Sequence, residues 1–224
     1  MLIVEFHAHT IYSKDSLTTP EQLVKVCRHK GIDRVVITDH NTIQGARATQ
    51  KLDPKLVIVG EEIMTTQGEI LAAFVKKEIP AGLSAQETIR QLKEQGAFIS
   101  ISHPFDVARS GHWHSEDLRE ILPYIDAIEV YNSRSWLPGF NRQAKEFAER
   151  YSIPGTVGSD AHAPLELGRA VLMLEEFEDP DGIRKVLRDG EPKVKWSPPW
   201  FHLFSRYAVI RKRLNRNLDM KKQP

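Results

Sequence analysis

Short apolar runs of strand length alternate with amphipathic segments along most of the chain. The predicted strands are 2–6, 34–38, 56–60, 97–101, 126–130, 155–158 and 170–174. The predicted helices lie near 20–30, 42–51, 84–95, 115–121, 140–151 and 180–189. This alternation is typical of βα units built around a mostly parallel sheet.

One segment departs from the alternation. Residues 61–75 read as two extended arms around Gln67-Gly68, which predicts a hairpin inserted in the βα series. The clearest predicted helix is 84–95, because Ser84 and Glu87 form a capping-box pattern and Gly96 supplies a left-handed stop. The periodicity fits a barrel and a doubly wound open sheet equally well.

Composition restricts the class of protein. The 224 residues carry a formal net charge of +1 and are 41% hydrophobic. These values suit one globular domain and argue against a disordered, membrane-spanning or strongly basic nucleic-acid-binding chain. Met1 leads straight into a strand without a secretion signal, so we expect a cytoplasmic protein. The single cysteine, Cys27, lies on an apolar helix face, which predicts a buried structural thiol.

The amino-acid composition of the sequence changes at Trp196. We predict a main domain over residues 1–195 and a basic, aromatic extension over 196–224. The simplest interpretation is a C-terminal helix docked on the domain, and contact with RNA, an anionic surface or a partner stays open. This interpretation buries Phe201, Phe204, Tyr207, Val209 and Ile210 and leaves Arg211, Lys212, Arg213 and Arg216 in solvent.

Metal-ligating residue types follow strand after strand. His7 and His9 lie two residues apart behind the first strand, where the two-residue period of extended chain points both side chains the same way. Further donors occur in 38-TDHNT-42, 60-GEEI-63, 102-SHP-104 and 158-GSDAH-162. Because functional groups gather at the C-terminal ends of parallel strands, these side chains are expected to converge.

The number of donors exceeds what one ion can use. An ion that keeps an open position takes three to five ligands, so the surplus predicts two or three divalent ions, and the lack of cysteine favours Mn, Fe or Zn in a mixed site. Paired ions suit displacement at phosphorus. The candidate ligands are His7, His9, Asp15, His40, Glu62, His103, Asp160 and His162.

These motifs occur in an ordered series that closely resembles the polymerase and histidinol phosphatase (PHP) family of metal-dependent phosphoesterases. The series is 7-HAHTIYSKDS-16, 38-TDHNT-42, 60-GEEI-63, 102-SHP-104, 129-EVYNSR-134 and 158-GSDAH-162, and the resemblance extends over residues 2 to about 190. It implies an α/β fold, a distorted seven-stranded TIM-like (βα) barrel with up to three metals at the C-terminal ends of its strands.

The resemblance also implies roles for individual residues. The first metal would be held by His7, His9, Glu62 and Asp160, the second by Glu62 as a bridge and His103, and the third by Asp15, His40 and His162. Glu61 would point to the other side of its strand and be structural, and Asp39 would fix an imidazole.

The chain departs from the family pattern after the hairpin glycine. Many relatives have a histidine there as a ligand of the second metal, whereas this chain has Glu69 in 68-GEIL-71. A carboxylate can still ligate and would favour Mn or Fe over Zn. The alternative is an exposed hairpin glutamate.

Phosphate binding requires cationic groups beyond the metals. Arg134, two residues after Asn132, is predicted to take phosphate oxygens in a fork, with pairing to a nearby acid as the alternative. Lys14 and Arg109 are weaker candidates, and the loop 109-RSGHWH-114 is predicted to face the substrate or act as a lid.

Together these features predict hydrolysis of a phosphate monoester or diester by a metal-activated water. Arg134 would stabilise charge, and His9, Asp160 or His162 would handle protons. Nucleotides or short oligonucleotides are the expected substrates, with histidinol phosphate as the alternative. A non-catalytic PHP metal-binding or partner module and a metal-dependent amide or C–N hydrolase are the alternatives of other classes.

Overall fold

A computed structural model describes residues 1–220, with the side chains of 216–220 excepted. The strands are β1 Leu2–Ala8, β2 Arg34–Ile37, β3 Val57–Met64, β4 Glu69–Ala73, β5 Phe98–Ile101, β6 Ala127–Asn132, β7 Gly155–Gly158, β8 Ala170–Leu174 and β9 Glu191–Val194. The helices are α1 Pro20–His29, α2 Gln44–Leu52, α3 Ala85–Glu94, α4 Ser115–Ile121, α5 Pro138–Arg150, α6 Pro180–Val186 and α7 His202–Met220. Residues 221–224 of the C-terminal extension lie outside the described residues.

The strands form a single mixed sheet that curls into a nearly closed barrel, as the family resemblance predicted. Its order is β7-β6-β5-β4-β3-β2-β1-β8-β9. A parallel bridge between Ala8 and Ala161 brings the end of β1 against the segment that follows β7, and the His9 amide donates to the Ala161 carbonyl at 2.9 Å. The open-sheet alternative is therefore wrong.

Two strands run against the other members of the sheet. β3 and β4 pair antiparallel from Met64↔Glu69 to Gly60↔Ala73, which confirms the predicted hairpin. β8 pairs antiparallel with β1. β9 pairs with β8 and was not predicted from sequence, because Glu191–Val194 is exposed throughout and offers no apolar alternation. The other strands share one direction, so their C-terminal ends lie at one mouth of the barrel.

Local signals set several helix ends. Thr19 and Gln22 form a complete capping box at α1. At α3 the Ser84 side chain accepts from the Glu87 amide, but the Glu87 carboxylate bonds Arg90 instead of reaching back, so only half of the predicted capping box forms. Gly96 ends that helix region at φ +73°, as predicted.

Apolar residues form two contiguous clusters. One contains strand residues such as Phe6, Val36 and Phe98, and the other packs helix residues such as Leu23 and Leu92 against the sheet. Cys27 belongs to this second cluster and is fully buried, as predicted. Burial raises the pKa of its thiol to about 12.

The C-terminal segment docks on the barrel with part of the predicted apolar set. Phe201 is buried as predicted and Phe204 is half-buried, whereas Tyr207, Val209 and Ile210 are exposed and Ala208 is buried instead. Ala208 lies on the buried face of the helix, so its chain neighbours Tyr207 and Val209 are turned away from that face. Lys212 is half-buried rather than solvated, and the side chain of Arg216 lies outside the described residues. None of the helices in residues 1–220 has the length and hydropathy needed to cross a bilayer.

Candidate metal centre

The nine residues predicted as metal ligands meet at the mouth of the barrel. They follow or end β1, β2, β3, β5 and β7, with one at the start of β4, so residues far apart in sequence come together where parallel strands end. The cluster consists of His7, His9, Asp15, His40, Glu62, Glu69, His103, Asp160 and His162.

Three overlapping triads in this cluster have metal-binding geometry. In each triad one ligand atom from every member lies within 4.8 Å of the others. Glu62 occurs in two triads, and so do His9 and His40. A carboxylate such as that of Glu62 can bridge two neighbouring ions, whereas one histidine nitrogen ligates a single ion, so the overlap shows that the triads lie side by side. The triads are His7-His9-Glu62, His40-Glu62-Glu69 and His9-His40-His162.

Two aspartates complete the cluster. Asp160 Oδ1 lies 3.3 Å from His9 Nε2 and 3.6 Å from His7 Nε2. Asp15 Oδ2 lies 3.3 Å from Nε2 of both His40 and His162. Asp160 thus lies beside His7 and His9, and Asp15 beside His40 and His162, while the partition of these donors among ions stays a prediction.

His103 lies between the two glutamates. Its Nε2 is 3.2 Å from Glu62 Oε1 and 3.4 Å from Glu69 Oε2. Glu69 is only 6% exposed, so the alternative of an exposed hairpin glutamate is wrong. Its Oε1 also lies 3.6 Å from His40 Nδ1. Glu69 thus occupies the position from which a further ligand would complete the second site.

The electrostatics of the cluster favour cations. Burial alone would lower the pKa of His7, but Glu62, Asp160 and Glu129 together raise it well above its usual value. Burial, together with His162 and His40, lowers the pKa of His9 to about 3. His9 is therefore neutral at physiological pH, which is the form that ligates a metal.

Several buried oxygens in the cluster have no hydrogen-bond partner. Among the described side chains these include Oε2 of Glu62, Oδ1 of Asp160 and Oδ1 of Asp15. A buried carboxylate oxygen without a partner carries a large desolvation cost unless a cation meets it. The residues present therefore fit divalent metal ions.

Glu129 orients two of the histidines and was not predicted. Its Oε1 lies 2.9 Å from His7 Nδ1. Its Oε2 accepts from the His103 amide at 2.8 Å and from Asn132 Nδ2 at 3.0 Å. With Nδ1–H held by Glu129, the Nε2 atom of a neutral His7 would be free to ligate a metal. The signal was present in sequence as a carboxylate inside an apolar strand, which has to be paired when buried.

A second chain of hydrogen bonds holds His9. Asp39 accepts from the Thr10 amide and hydroxyl and from Ser13 Oγ at 2.9 Å. Ser13 Oγ in turn lies 3.1 Å from His9 Nδ1. Asp39 thus fixes an imidazole, as predicted, but through Ser13 and on His9 rather than on its neighbour His40. Glu61 accepts from the Ile79 amide, away from the cluster, in agreement with its predicted structural role.

Two candidate ligands that follow strands have a left-handed backbone conformation. Asp160 has φ +51° and His103 has φ +22°. Left-handed backbone at non-glycine residues costs free energy and is typical of functional sites. The pairing of β1 with β2 shifts register between Glu5 and Ala8, and this irregularity affects the direction of the strand at His7.

The loop 109–114 packs over Glu69. Trp113 is buried, and its Nε1 donates to the Glu69 carbonyl at 3.0 Å. A Cβ at Gly111 would lie 2.1 Å from Glu69 Oε2, so only glycine leaves room for this carboxylate. The loop therefore positions Glu69, while its predicted contact with substrate stays a prediction.

Of the two arginines, the one that reaches the cluster is Arg109. Its Nη1 lies 2.6 Å from Asp160 Oδ2, and its Nε lies 3.3 Å from Asp106. Arg134 instead forms a buried ion pair with Glu166, at 3.0 and 3.2 Å from Nη1. Phosphate binding by Arg134 would require that this pair be broken, so the geometry favours the alternative interpretation of Arg134.

Glu166 links Arg134 to the metal centre indirectly. It also accepts from the amides of His162 and Ala163 at 3.0 and 2.8 Å. Arg134 donates further to Ser205 Oγ at 2.9 Å and lies 3.2 Å from His202 Nδ1, both on α7. The pair thus holds the His162 loop and α7 together.

The remaining predicted substrate residues differ in exposure. Asn132 is buried and bridges carboxylates, with Nδ2 at 3.0 Å from Glu129 and 3.2 Å from Asp160. Lys14 is exposed on the loop that also bears Asp15. Asn132 thus contacts one candidate ligand, Asp160, whereas Lys14 lies in solvent beside Asp15, and substrate binding by either residue stays a prediction.

Comparison with known proteins agrees with this geometry. The sequence model of the PHP domain matches residues 5–97, and that of the PHP-associated region matches residues 138–192. The chain belongs to the PHP family. An uncharacterized protein of Methanocaldococcus jannaschii is 38% identical to it over 228 residues, with 92% of each chain covered.

Solved structures of PHP-like proteins share its fold. A two-domain protein of Bacteroides vulgatus, in which a PHP-like metal-dependent phosphoesterase is predicted, matches 86% of this chain with a TM-score of 0.70 and 22% identity. This chain spans 64% of that protein. PsfC of Pseudomonas syringae matches 95% of this chain and 98% of its own, with a TM-score of 0.68 and 16% identity. At these identities the likeness establishes the fold.

Proposed function

We propose that this PHP protein is a metal-dependent phosphoesterase that hydrolyses a phosphate monoester or diester, with nucleotides or short oligonucleotides as its first candidate substrates. The observation that carries the proposal is the set of three donor triads that share His9, His40 and Glu62. A structural site closes around one ion, whereas adjoining triads joined by a carboxylate that can bridge, Glu62, support two or three adjacent ions.

The charge of the centre supports the same number of ions. Four carboxylates, those of Asp15, Glu62, Glu69 and Asp160, each have an oxygen within 3.6 Å of a histidine nitrogen. Arg109 is the permanent cation in direct contact with one of them among the described side chains. Two divalent ions would balance the four carboxylates, and the buried position makes this compensation necessary.

When bound, paired divalent ions would polarise the phosphoryl oxygens and activate a water molecule for attack on phosphorus. His7, His9, Glu62 and Asp160 would hold one ion. Glu62, Glu69 and His103 would hold the second. The third set would be Asp15, His40 and His162.

Arg109 is placed to stabilise phosphate charge. A guanidinium has five N–H donors, and its contacts with Asp160, Asp106 and the Arg134 carbonyl use Nη1, Nε and Nη2 once each. The remaining donors on the two terminal nitrogens can meet substrate oxygens beside the metal ligands. We therefore assign to Arg109 the role that the sequence alone suggested for Arg134.

The histidine tautomers suit metal ligation rather than free acid–base chemistry. His162 Nδ1 donates to the Asp160 carbonyl at 2.9 Å, which leaves the Nε2 lone pair directed towards Asp15. His9 is likewise held through Nδ1 by Ser13. Proton transfer by His9, Asp160 or His162 stays a prediction.

The test couples metal content to phosphate release. The purified protein would be analysed by mass spectrometry for Mn, Fe and Zn, and assayed on nucleotides with one or two phosphates, short RNAs, bis(p-nitrophenyl) phosphate and histidinol phosphate. We expect two or three ions per chain and chelator-sensitive release. A protein that binds no metal after reconstitution and releases no phosphate would overturn the proposal and favour a non-catalytic module.

A further inference from the structure

The outer face of α7 carries a row of exposed apolar side chains. Leu203, Tyr207, Ile210 and Leu214 are each more than half exposed. With 3.6 residues per turn they fall within about 60° of the helix circumference, and the centre of this apolar row lies about 130° away from the buried Ala208. Large apolar side chains gathered on one exposed face mark an interaction site.

Arginines border the apolar row on both sides. Arg206 and Arg213 lie along one side and Arg211 along the other, and all three are exposed. In sequence, α7 has five lysines and arginines and one acid, Asp219, whose side chain lies outside the described residues. An apolar row between basic residues is typical of a helix that lies on an anionic surface.

Exposed aromatic residues lie at the N-terminal end of α7. Trp200 precedes the helix and is 52% exposed. Trp136 is partly exposed, and its ring stacks on His202, the first residue of α7, with centroids 4.1 Å apart. Leu137 beside it is exposed as well. Tryptophan is enriched at membrane interfaces because it joins an apolar ring system to a polar N–H.

The loop after β1 adjoins α7 further along the helix. Lys212 Nζ donates to the Ile11 carbonyl, at 2.6 Å, and to the Ser13 carbonyl. The side chains of Ile11, Tyr12 and Lys14 on this loop are exposed. Apolar and basic side chains from three segments therefore adjoin one another, so the exposed area is broader than the apolar row alone.

The charges decide between the possible occupants of this area. The apolar row also has the spacing of a coiled-coil seam, but two copies of α7 would bring Arg206, Arg211 and Arg213 against those of the partner helix in either orientation. Like charges at such flanking positions oppose pairing. A nucleic acid would neutralise the arginines and leave the apolar row in water. A single acidic helix would cover the row without the aromatic residues of the neighbouring segments.

We propose that the outer face of α7, together with Trp136, Trp200 and the loop 11–14, binds peripherally to an anionic lipid bilayer. The apolar row enters the boundary between headgroups and acyl chains, and the arginines on both sides meet the lipid phosphates. The inference is independent of the proposed phosphoesterase function.

Vesicle sedimentation of the full-length protein tests this proposal. Vesicles of phosphatidylcholine alone are compared with vesicles of equal parts of phosphatidylcholine and phosphatidylglycerol. We expect the apparent Kd for the anionic vesicles to be about tenfold lower or more, and binding to weaken as salt rises, because several basic residues meet the surface.

Two double variants separate the charged and apolar contributions. Arg206→Gln/Arg213→Gln should weaken binding to the anionic vesicles about tenfold or more, since two basic side chains leave the surface. Leu203→Gln/Ile210→Gln should weaken it by about the same factor, since two apolar side chains no longer enter the bilayer.

Matched controls change the same kinds of exposed residue elsewhere. Lys25→Gln/Lys51→Gln removes two exposed charges from α1 and α2. Leu52→Gln/Tyr124→Gln removes two side chains that are about as exposed as those of the apolar row. Both controls should bind the anionic vesicles like the wild type, and thermal unfolding checks that all four variants are folded.

Several results would overturn the proposal. These are failure to bind the anionic vesicles, equal binding to neutral and anionic vesicles, and equal losses in the variants and their controls. Dimers in light scattering without vesicle binding would assign the face to a second copy, and binding of a short RNA without vesicle binding would assign it to nucleic acid. Selective loss in both α7 variants would support the membrane surface, whatever the result of the phosphate-release assay.

Discussion

Replacement of Glu129 by glutamine would test how strongly an unpredicted residue controls metal affinity. The Glu129 carboxylate binds Nδ1 of His7 through one oxygen and the His103 amide and Asn132 through the other. A glutamine can keep its carbonyl oxygen towards His103 and Asn132. Its amino group then faces His7 Nδ1, where two donors would meet.

The imidazole resolves this conflict by changing tautomer. With Nδ1 as acceptor, the proton moves to Nε2, which lies 3.4 Å from Glu62 Oε2 and 3.6 Å from Asp160 Oδ1. A protonated Nε2 cannot ligate a metal. Loss of a partner of this kind lowers metal affinity about 10- to 100-fold, which corresponds to about 1.4–2.7 kcal/mol.

The assay is a competition titration of Mn²⁺ or Zn²⁺ against a chromophoric chelator. Glu120→Gln, at an exposed position of α4, serves as the matched control because it removes the same charge away from the centre. Thermal unfolding of the metal-free proteins checks that the fold is retained. A Glu129→Gln protein with metal affinity within about twofold of the wild type would refute the reasoning.

Three further predictions concern Arg109, Gly111 and Cys27. Arg109→Lys removes the guanidinium that contacts Asp160 and Asp106 through different nitrogens, so kcat should fall about tenfold or more in steady-state assays. Gly111→Ala places a methyl 2.1 Å from Glu69 Oε2, which should displace this carboxylate and weaken one metal site in the chelator titration. Burial raises the pKa of Cys27 from 9.0 to about 12, so its reaction with a disulfide reagent at pH 8 should be slow in the folded protein and fast in urea. Because the folded-state pKa is the higher one, the stabilisation from the neutral thiol is present below pH 9 and is lost as pH rises towards 12.

Each of these three predictions would be contradicted by a specific result. Wild-type kcat in Arg109→Lys would show that this guanidinium does not stabilise reacting charge. Unchanged metal binding in Gly111→Ala would remove Glu69 from the ligand set. Equal modification rates of folded and unfolded protein would show that Cys27 is reached by solvent.

The convergence of the candidate ligands could be predicted because most of them follow a strand. Histidine and carboxylate residues directly behind apolar strands are visible in 7-HAH-9, 38-TDHNT-42 and 158-GSDAH-162, and the C-terminal ends of parallel strands lie together whatever the loops do. The hairpin 61–75 was equally visible from its two apolar arms. These signals are local, so one sequence sufficed for them.

The partners of the charged residues could not be predicted in the same way. Arg134 and Arg109 both follow strands, and either could face a phosphate. The choice depends on Glu166, His202 and Ser205, which lie 32, 68 and 71 residues further along the chain from Arg134. Ion pairing over such separations is decided by packing, which periodicity does not encode.

By itself the sequence determined the alternation of strands and helices, the burial of Cys27 and the identity of the metal-binding residue types, because these depend on short-range pattern and on side-chain chemistry. Only the tertiary structure decided that Glu129 orients His7, that Asp39 acts on His9 through Ser13, and that Arg109 rather than Arg134 contacts the centre. Those outcomes depend on which distant side chains share a buried space, where every charge must find a partner.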